Sequence, residues 1–156
     1  TYFHRSNTAN WIIYRLSDIM LMKSEALVQK EGQENFKQAM LLLNETYLRS
    51  NEGQDSLQLS NYNSKIDMDK LVLRERQREL LFEGKRWFDL VRMARRENST
   101  GSLNSYVDRK SASATSATLG ALVMDAMYMP IARREMEANP KLKQNPFYEE
   151  SSSSTR

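Results

Sequence analysis

Residues 67–97, DMDKLVLRERQRELLFEGKRWFDLVRMARRE, decide how the rest of the chain is read. The stretch combines an apolar stripe with the densest charge in the protein. Asp67 suits an N-cap, because its carboxylate can accept from the unpaired N–H groups of a first turn. Asp69 follows where the helix dipole favours an anion. Leu73, Leu80, Leu81, Gly84, Trp87, Phe88 and Val91 recur at spacings of three, four or seven, which predicts one face of a single long helix. Arg92, Arg95 and Arg96 load its C-terminal end, and Asn98-Ser99-Thr100-Gly101 stops it.

Composition sets the frame around this helix. At 156 residues the chain has the length of one domain, enough to bury roughly 70% of its unfolded surface. With 40% hydrophobic residues and only 5 glycines and 3 prolines, it reads as folded and mainly helical rather than disordered. A net charge of +3 is too small and too evenly spread for a nucleic-acid module. The absence of cysteine excludes a disulfide framework, a thiolate nucleophile and a cysteine-based metal site. No apolar run approaches the ~18 residues needed to span a bilayer. The start, TYFHRSNTANWII, lacks the basic and apolar regions of a secretory signal and has no initiating methionine. The chain therefore reads as a processed product or an excised piece.

Upstream of the central stretch, residues 1–11 are polar and aromatic without a period, and Trp11-Ile12-Ile13-Tyr14 suits an extended lead-in. From Ser17 the pattern turns helical, with Ile19, Met22 or Lys23, Ala26 and Leu27 as the expected stripe and Gly32 as the stop. A second helix starts near Glu34 and carries Phe36, Ala39, Met40, Leu43 and Tyr47, the cleanest helical spacing in the chain. The short turn between them predicts an antiparallel hairpin. Small residues at Ser24 and Ala39 resemble the close-approach positions of a tetratricopeptide-type helix pair. One such pair cannot cover its own apolar faces, so it has to lean on the central helix or on other chain. Residues 51–65 read as a turn-rich connector and 98–120 as a long loop. Leu122 opens a short apolar piece that ends at Pro130, and the closing EESSSSTR reads as a frayed tail.

The central stretch resembles the SusD/RagB family. The residues that carry the match are Arg74-Glu75-Arg76, Glu79-Leu80, Phe82-Glu83-Gly84, Arg86-Trp87-Phe88-Asp89-Leu90 and Arg92. Two further segments agree, in the family's order. Arg15, Asp18, Leu21 and Glu25-Ala26-Leu27 fit its first helix, with Leu43-Asn44 and Arg49 following. Pro130-Ile131, Glu135, Asn139-Pro140, Leu142, Gln144-Asn145-Pro146 and Tyr148 fit its closing segment. Ala132 replaces a second proline there and Phe147 a glycine. The resemblance implies the C-terminal part of a longer protein, a nutrient-binding lipoprotein on the outer face of a Gram-negative outer membrane. It would take an oligosaccharide or other nutrient and deliver it to a SusC-like TonB-dependent transporter, with no cofactor. It would meet the membrane only through a lipid anchor outside this segment.

The residues themselves show little chemistry. Glu75, Glu79 and Glu83 stand four apart on one predicted face and could suggest a metal or acid–base site. A helical di-metal site would want Glu-x-x-His partners, and His4 is the only histidine. Arg76, Arg78 and Arg86 lie three residues from these acids and can neutralise them, so an ion-pair network is the preferred reading and no catalysis is indicated. Trp87 and Phe88 are expected in the core rather than as a sugar platform. Trp11, Tyr14, Tyr62 and Tyr106 lie in less regular sequence and are the candidate ligand-stacking aromatics. His4 is expected to be an exposed terminal residue, and the methionines at 20, 22, 40, 93, 124, 127, 129 and 136 core filler. Arg92, Arg95 and Arg96 read as a solvated helix end, and no phosphate loop, zinc signature or nucleophile elbow appears.

The expected fold is mainly α, a tetratricopeptide-like hairpin packed with a long central helix and joined by long irregular loops. Residues 1–150 form its SusD-like domain and 151–156 a flexible tail. Two rival functions stand beside nutrient binding: a helical-repeat scaffold that holds a protein partner, and a hydrolase using Glu75 and Glu79.

Overall fold

The computed structural model describes residues 12–108 and 122–149. His4 and Trp11, residues 109–120 of the 98–120 stretch and the 151–156 tail lie outside the described residues. Seven α-helices and no strand occur among the described residues: α1 (Leu16–Lys30), α2 (Gln33–Ser50), α3 (Lys65–Glu79), α4 (Arg86–Glu97), α5 (Gly101–Asp108), α6 (Arg133–Ala138) and α7 (Pro146–Glu149). The mainly α fold is as expected. The chain divides into two compact units, Thr1–Arg86 and Trp87–Arg156.

The first unit is the predicted hairpin leaning on the central helix. Leu21, Leu27 and Val28 from α1, Phe36, Ala39, Met40 and Leu43 from α2, and Met68, Leu71 and Val72 from α3 form one buried cluster. Each fully buried leucine contributes about 1.5–3 kcal/mol by leaving water. Where the helices meet, the Ser24 hydroxyl donates to the Ala39 carbonyl at 3.1 Å, and neither residue has any exposed surface. A larger side chain at either position would push the helices apart. The hairpin turn is made by Glu31 and Gly32, both in the left-handed region with φ of 57° and 91°.

Two expectations about the central stretch are corrected. The central stretch is two helices, because α3 ends at Glu79 and the chain turns through residues 80–85 before α4 begins. Phe82 and Gly84 take φ of 66° and 72° there, values a continuous right-handed helix does not allow. The N-cap is Ser64, whose hydroxyl accepts from the Asp67 backbone N–H at 3.1 Å and donates to the Asp67 carboxylate at 2.7 Å. Asp67 is thus the third helical residue, and its carboxylate holds the capping hydroxyl rather than serving as the cap.

The buried stripes also differ in phase from the apolar spacing. In α1 the buried face is Ser17, Asp18, Leu21, Ser24, Leu27 and Val28, while Ile19 and Ala26 are exposed. In α3 Glu75 and Arg76 are buried, Leu73 only partly, and Leu81 beyond the helix is exposed. Charged residues have taken core positions, and apolar periodicity cannot register them. In α4 the buried residues are Asp89, Leu90 and Ala94. Phe88 is 64% exposed and Trp87 only half-buried, so Phe88 is not the core residue that its place in a single long helix implied.

The second unit is stitched by amide side chains. Its α4 ends as anticipated at Asn98, whose φ of 48° lets the Ser99 N–H reach back to the Ala94 carbonyl at 3.1 Å. The 98–120 stretch is not loop throughout, since it opens with α5, whose Leu103 is fully buried. Asn104 on α5 donates to the Leu122 carbonyl at 3.1 Å and accepts from the Leu122 N–H at 3.0 Å. Gln144 makes the same pair with Ile131, donating at 2.8 Å and accepting at 2.9 Å. Asn145 donates to the Asp125 carbonyl at 2.7 Å, closing the loop that carries buried Met127.

Candidate functional site

The residues with most chemistry gather in the first unit, where the C-terminal ends of α2 and α3 meet the start of α1. Glu79 is the hub. Its Oε1 is 2.5 Å from both Arg15 Nη1 and Arg49 Nη2, and the Ser50 hydroxyl donates to its other oxygen at 3.4 Å. Arg15 also donates from Nη2 to the Glu79 backbone carbonyl, and from Nε to Glu83 Oε1 at 2.9 Å. Glu75, one turn earlier, accepts from Arg78 at 2.9 Å and lies 3.3 Å from Arg74. The Arg74 guanidinium in turn donates to the Tyr62 hydroxyl at 3.0 Å.

Deeper in the unit, Asp18 is a buried anion held by Arg76 at 3.0 Å and Lys85 at 3.3 Å. Asp18 and Arg76 are 1% and 2% exposed, so this pair is essentially dry. Lys85 also donates to the Ile13 carbonyl and sits 4.3 Å from the centre of the Tyr14 ring. Arg86 donates to the Leu73 carbonyl at 3.0 Å. The turn at 80–85 is therefore fastened to the start of α1 through Arg15 and Lys85.

The predicted ion-pair network exists, but mostly with other partners. Of the three arginines spaced three residues from the acids, Arg78 pairs as expected with Glu75. Arg76 instead reaches Asp18, and Arg86 reaches a backbone carbonyl. Glu79 takes arginines from α2 and from the residue preceding α1, and Glu83 lies in the turn rather than on the helix.

Electrostatics favour the ionised form of Glu79. Burial raises the Glu79 carboxyl, but hydrogen bonds from Arg15, Arg49 and Ser17 outweigh it and hold the group below its ordinary value. Arg15 is raised: its hydrogen bond to Glu83 leads, burial opposes it, and Glu79 adds to it. A general acid at neutral pH needs the opposite displacement. Arg74 is raised as well; burial alone would lower it, and its bonds to Tyr62 and Glu75 prevail. A cleft of about 60 Å³ opens beside Glu79, lined by Thr46, Tyr47, Ser50, Asn51, Glu75 and Arg78. Ligand pockets run from roughly 300 Å³ upward, so this one does not enclose a sugar ring.

Three of the four aromatic candidates fall among the described residues. Trp11 lies outside the described residues. Tyr14 is exposed beneath Lys85. Tyr62 packs against the hydrophobic cluster with its hydroxyl on Arg74. Tyr106 is partly buried on α5, in the second unit. The sequence reading missed Asp18, Lys85 and Asn104 as structural actors. The resemblance had marked Asp18 as a motif position, the one signal that could have singled it out.

Comparison with known proteins identifies this arrangement. The family model described as the SusD family matches residues 3–148, and the chain belongs to that family. It is 32% identical over 146 residues to SusD-like protein P38 of Formosa agariphila, an alignment covering 89% of this chain and 25% of that protein. SusD-like protein P2 of the same organism is 30% identical over 92 residues, covering 57% of this chain and 18% of the relative. The chain thus spans about a quarter or less of the curated relatives it matches. No solved structure gives a significant match.

Proposed function

We propose that residues 1–156 are part of a longer SusD-family protein that binds an oligosaccharide or other nutrient at the outer-membrane surface. It hands the nutrient to a SusC-like TonB-dependent transporter. The family match over residues 3–148 carries this reading. Capture is non-covalent: exposed aromatic faces stack on sugar C–H surfaces and a few polar groups fix orientation. Ligand contacts fall to the remainder of the protein and to its loops, since the cleft beside Glu79 is small and its carboxylates are occupied by guanidinium groups. No helix among the described residues is long and apolar enough to cross a membrane. A lipid outside this segment holds the protein to the bilayer.

The charged cluster has an architectural part in this reading. It joins the first-helix, Asn44–Arg49 and central motifs of the family at one place, with Arg15, Arg49 and Glu79 drawn from each in turn. A binding protein needs a rigid frame to carry its loops.

Titration calorimetry of the full-length native protein against an oligosaccharide panel tests the reading. Purification from detergent-solubilised outer membranes accompanies it. Reversible, saturable binding without product release, with a β-barrel transporter co-purifying, is the expected result. No binding, no transporter and a stoichiometric peptide partner would favour the helical-repeat scaffold instead.

A further inference from the structure

The turn at 80–85 and the lead-in to α1 are laced together, yet what they present outward is apolar. Arg15 bonds Glu79 and Glu83, and Lys85 bonds the Ile13 carbonyl and Asp18, so the charges here are satisfied within the unit. Ile12, Ile13, Leu16 and Leu81 are each more than half exposed, and Phe82 is 95% exposed. Phe82 also holds φ at 66°. That conformation is a genuine outlier for a bulky side chain, of the kind that persists only where the surroundings enforce it. Here a strained backbone displays the largest side chain of the turn to solvent.

We infer that this surface is a permanent intramolecular interface, with Phe82 as its central knob. Its occupant is the portion of the same polypeptide lying outside residues 1–156. Two observations favour that occupant over a transient partner. The curated relatives are about four times longer than the aligned segment or more, so most of a protein of that size is available to cover it. Permanent interfaces are apolar at their centre with charged groups depleted, and here the neighbouring charges already pair with one another. A sugar-binding surface would add unengaged polar groups to an exposed aromatic such as Phe82, whereas Arg15 and Lys85 beside it are paired within the unit. The inference rests on the reading that this chain is part of a longer protein, and on no assumption about its nutrient.

Cysteine labelling of the full-length native protein tests it, because residues 1–156 contain no cysteine of their own. Phe82→Cys and Leu16→Cys are compared with Gln54→Cys, an exposed polar position in the connector after α2. Both test thiols should react with a maleimide about tenfold or more slowly than the control, since reaction requires local opening. If Phe82→Cys fails to fold, Leu16→Cys decides alone. Labelling as fast as the control in the folded full-length protein overturns the proposal. Protection that appears only when outer membranes are added also overturns it, because the occupant would then be a membrane partner. Intact mass of the native protein separately reports whether a longer polypeptide exists.

Discussion

The two units are held together by different means. In the first, ten apolar residues from α1, α2 and α3 form a continuous core, and ion pairs close one end of it. In the second, buried apolar side chains are fewer among the described residues and include Leu90, Ala94, Leu103 and Met127. Amide side chains there bind backbone as a neighbouring strand would, at Asn104 and Gln144, a device that the first unit also uses at Asn44 on Leu57 but in addition to its continuous core. Hydrophobic burial tolerates some change of shape, whereas a paired amide needs one loop conformation. The first unit is thus suited to serve as frame, and the second fixes the course of irregular chain.

The strongest way to break that contrast is at the buried ion pair. Arg76→Met leaves Asp18 deep in the first unit with Lys85 as its remaining charged partner, at an expected cost of about 3–5 kcal/mol. Urea unfolding measures this. Combining Arg76→Met with Asp18→Leu should recover most of the loss, because two apolar groups replace a desolvated pair. If the single change is neutral, Asp18 and Arg76 are not dry as their burial indicates.

Next comes the apolar core. Leu43→Ala removes a side chain with no exposed surface and should cost about 2–5 kcal/mol. The staples of the second unit should be weaker and more local. Gln144→Ala removes both bonds to Ile131 at an expected cost of about 1–3 kcal/mol. Amide exchange should speed up at Ile131, with α1 and α2 unchanged. Exchange rising in both units equally would mean that the two do not differ as described.

The smallest effect is a pH dependence. Glu79 has a folded value below its ordinary 4.5, so its carboxylate contributes stability that is fully present above that pH. The contribution is lost as pH falls below 4.5 through the folded value. Glu79→Gln should flatten the fall in melting temperature across this acid range. An unchanged acid limb would remove Glu79 from the hub.

How much of this was legible in the sequence varied with what occupied the core. The α2 face read correctly at Phe36, Ala39, Met40 and Leu43 because every buried position there, up to Leu43, is apolar. The α1 and α3 faces read out of phase because Asp18, Ser24, Glu75 and Arg76 are buried, and such residues count as surface in any hydrophobic period. The break after Glu79 was hidden because no proline interrupts residues 80–85 and because one of the two left-handed positions is taken by Phe82, a side chain that rarely adopts that conformation. Gly84 alone signalled a possible helix end, and it sat on what looked like a continuing apolar stripe. For the charged cluster, local spacing found Arg78 beside Glu75. It could not find the partners of Glu79, which lie 30 and 64 residues away along the chain. The order of the family motifs compensated, since residues far apart in sequence were marked together without their contacts being known.

We propose that the acidic row is a frame rather than a reaction centre, as the guanidinium groups around Glu79 suggest. The most direct test of this is Glu75→Gln with Glu79→Gln in the full-length protein, followed by thermal melting, ligand titration and product analysis on one preparation. The expected result is a lowered melting temperature, nutrient affinity unchanged in the molecules that remain folded, and no product before or after the change. An unmoved melting temperature, with hydrolysis present in the parent and abolished in the variant, would contradict it.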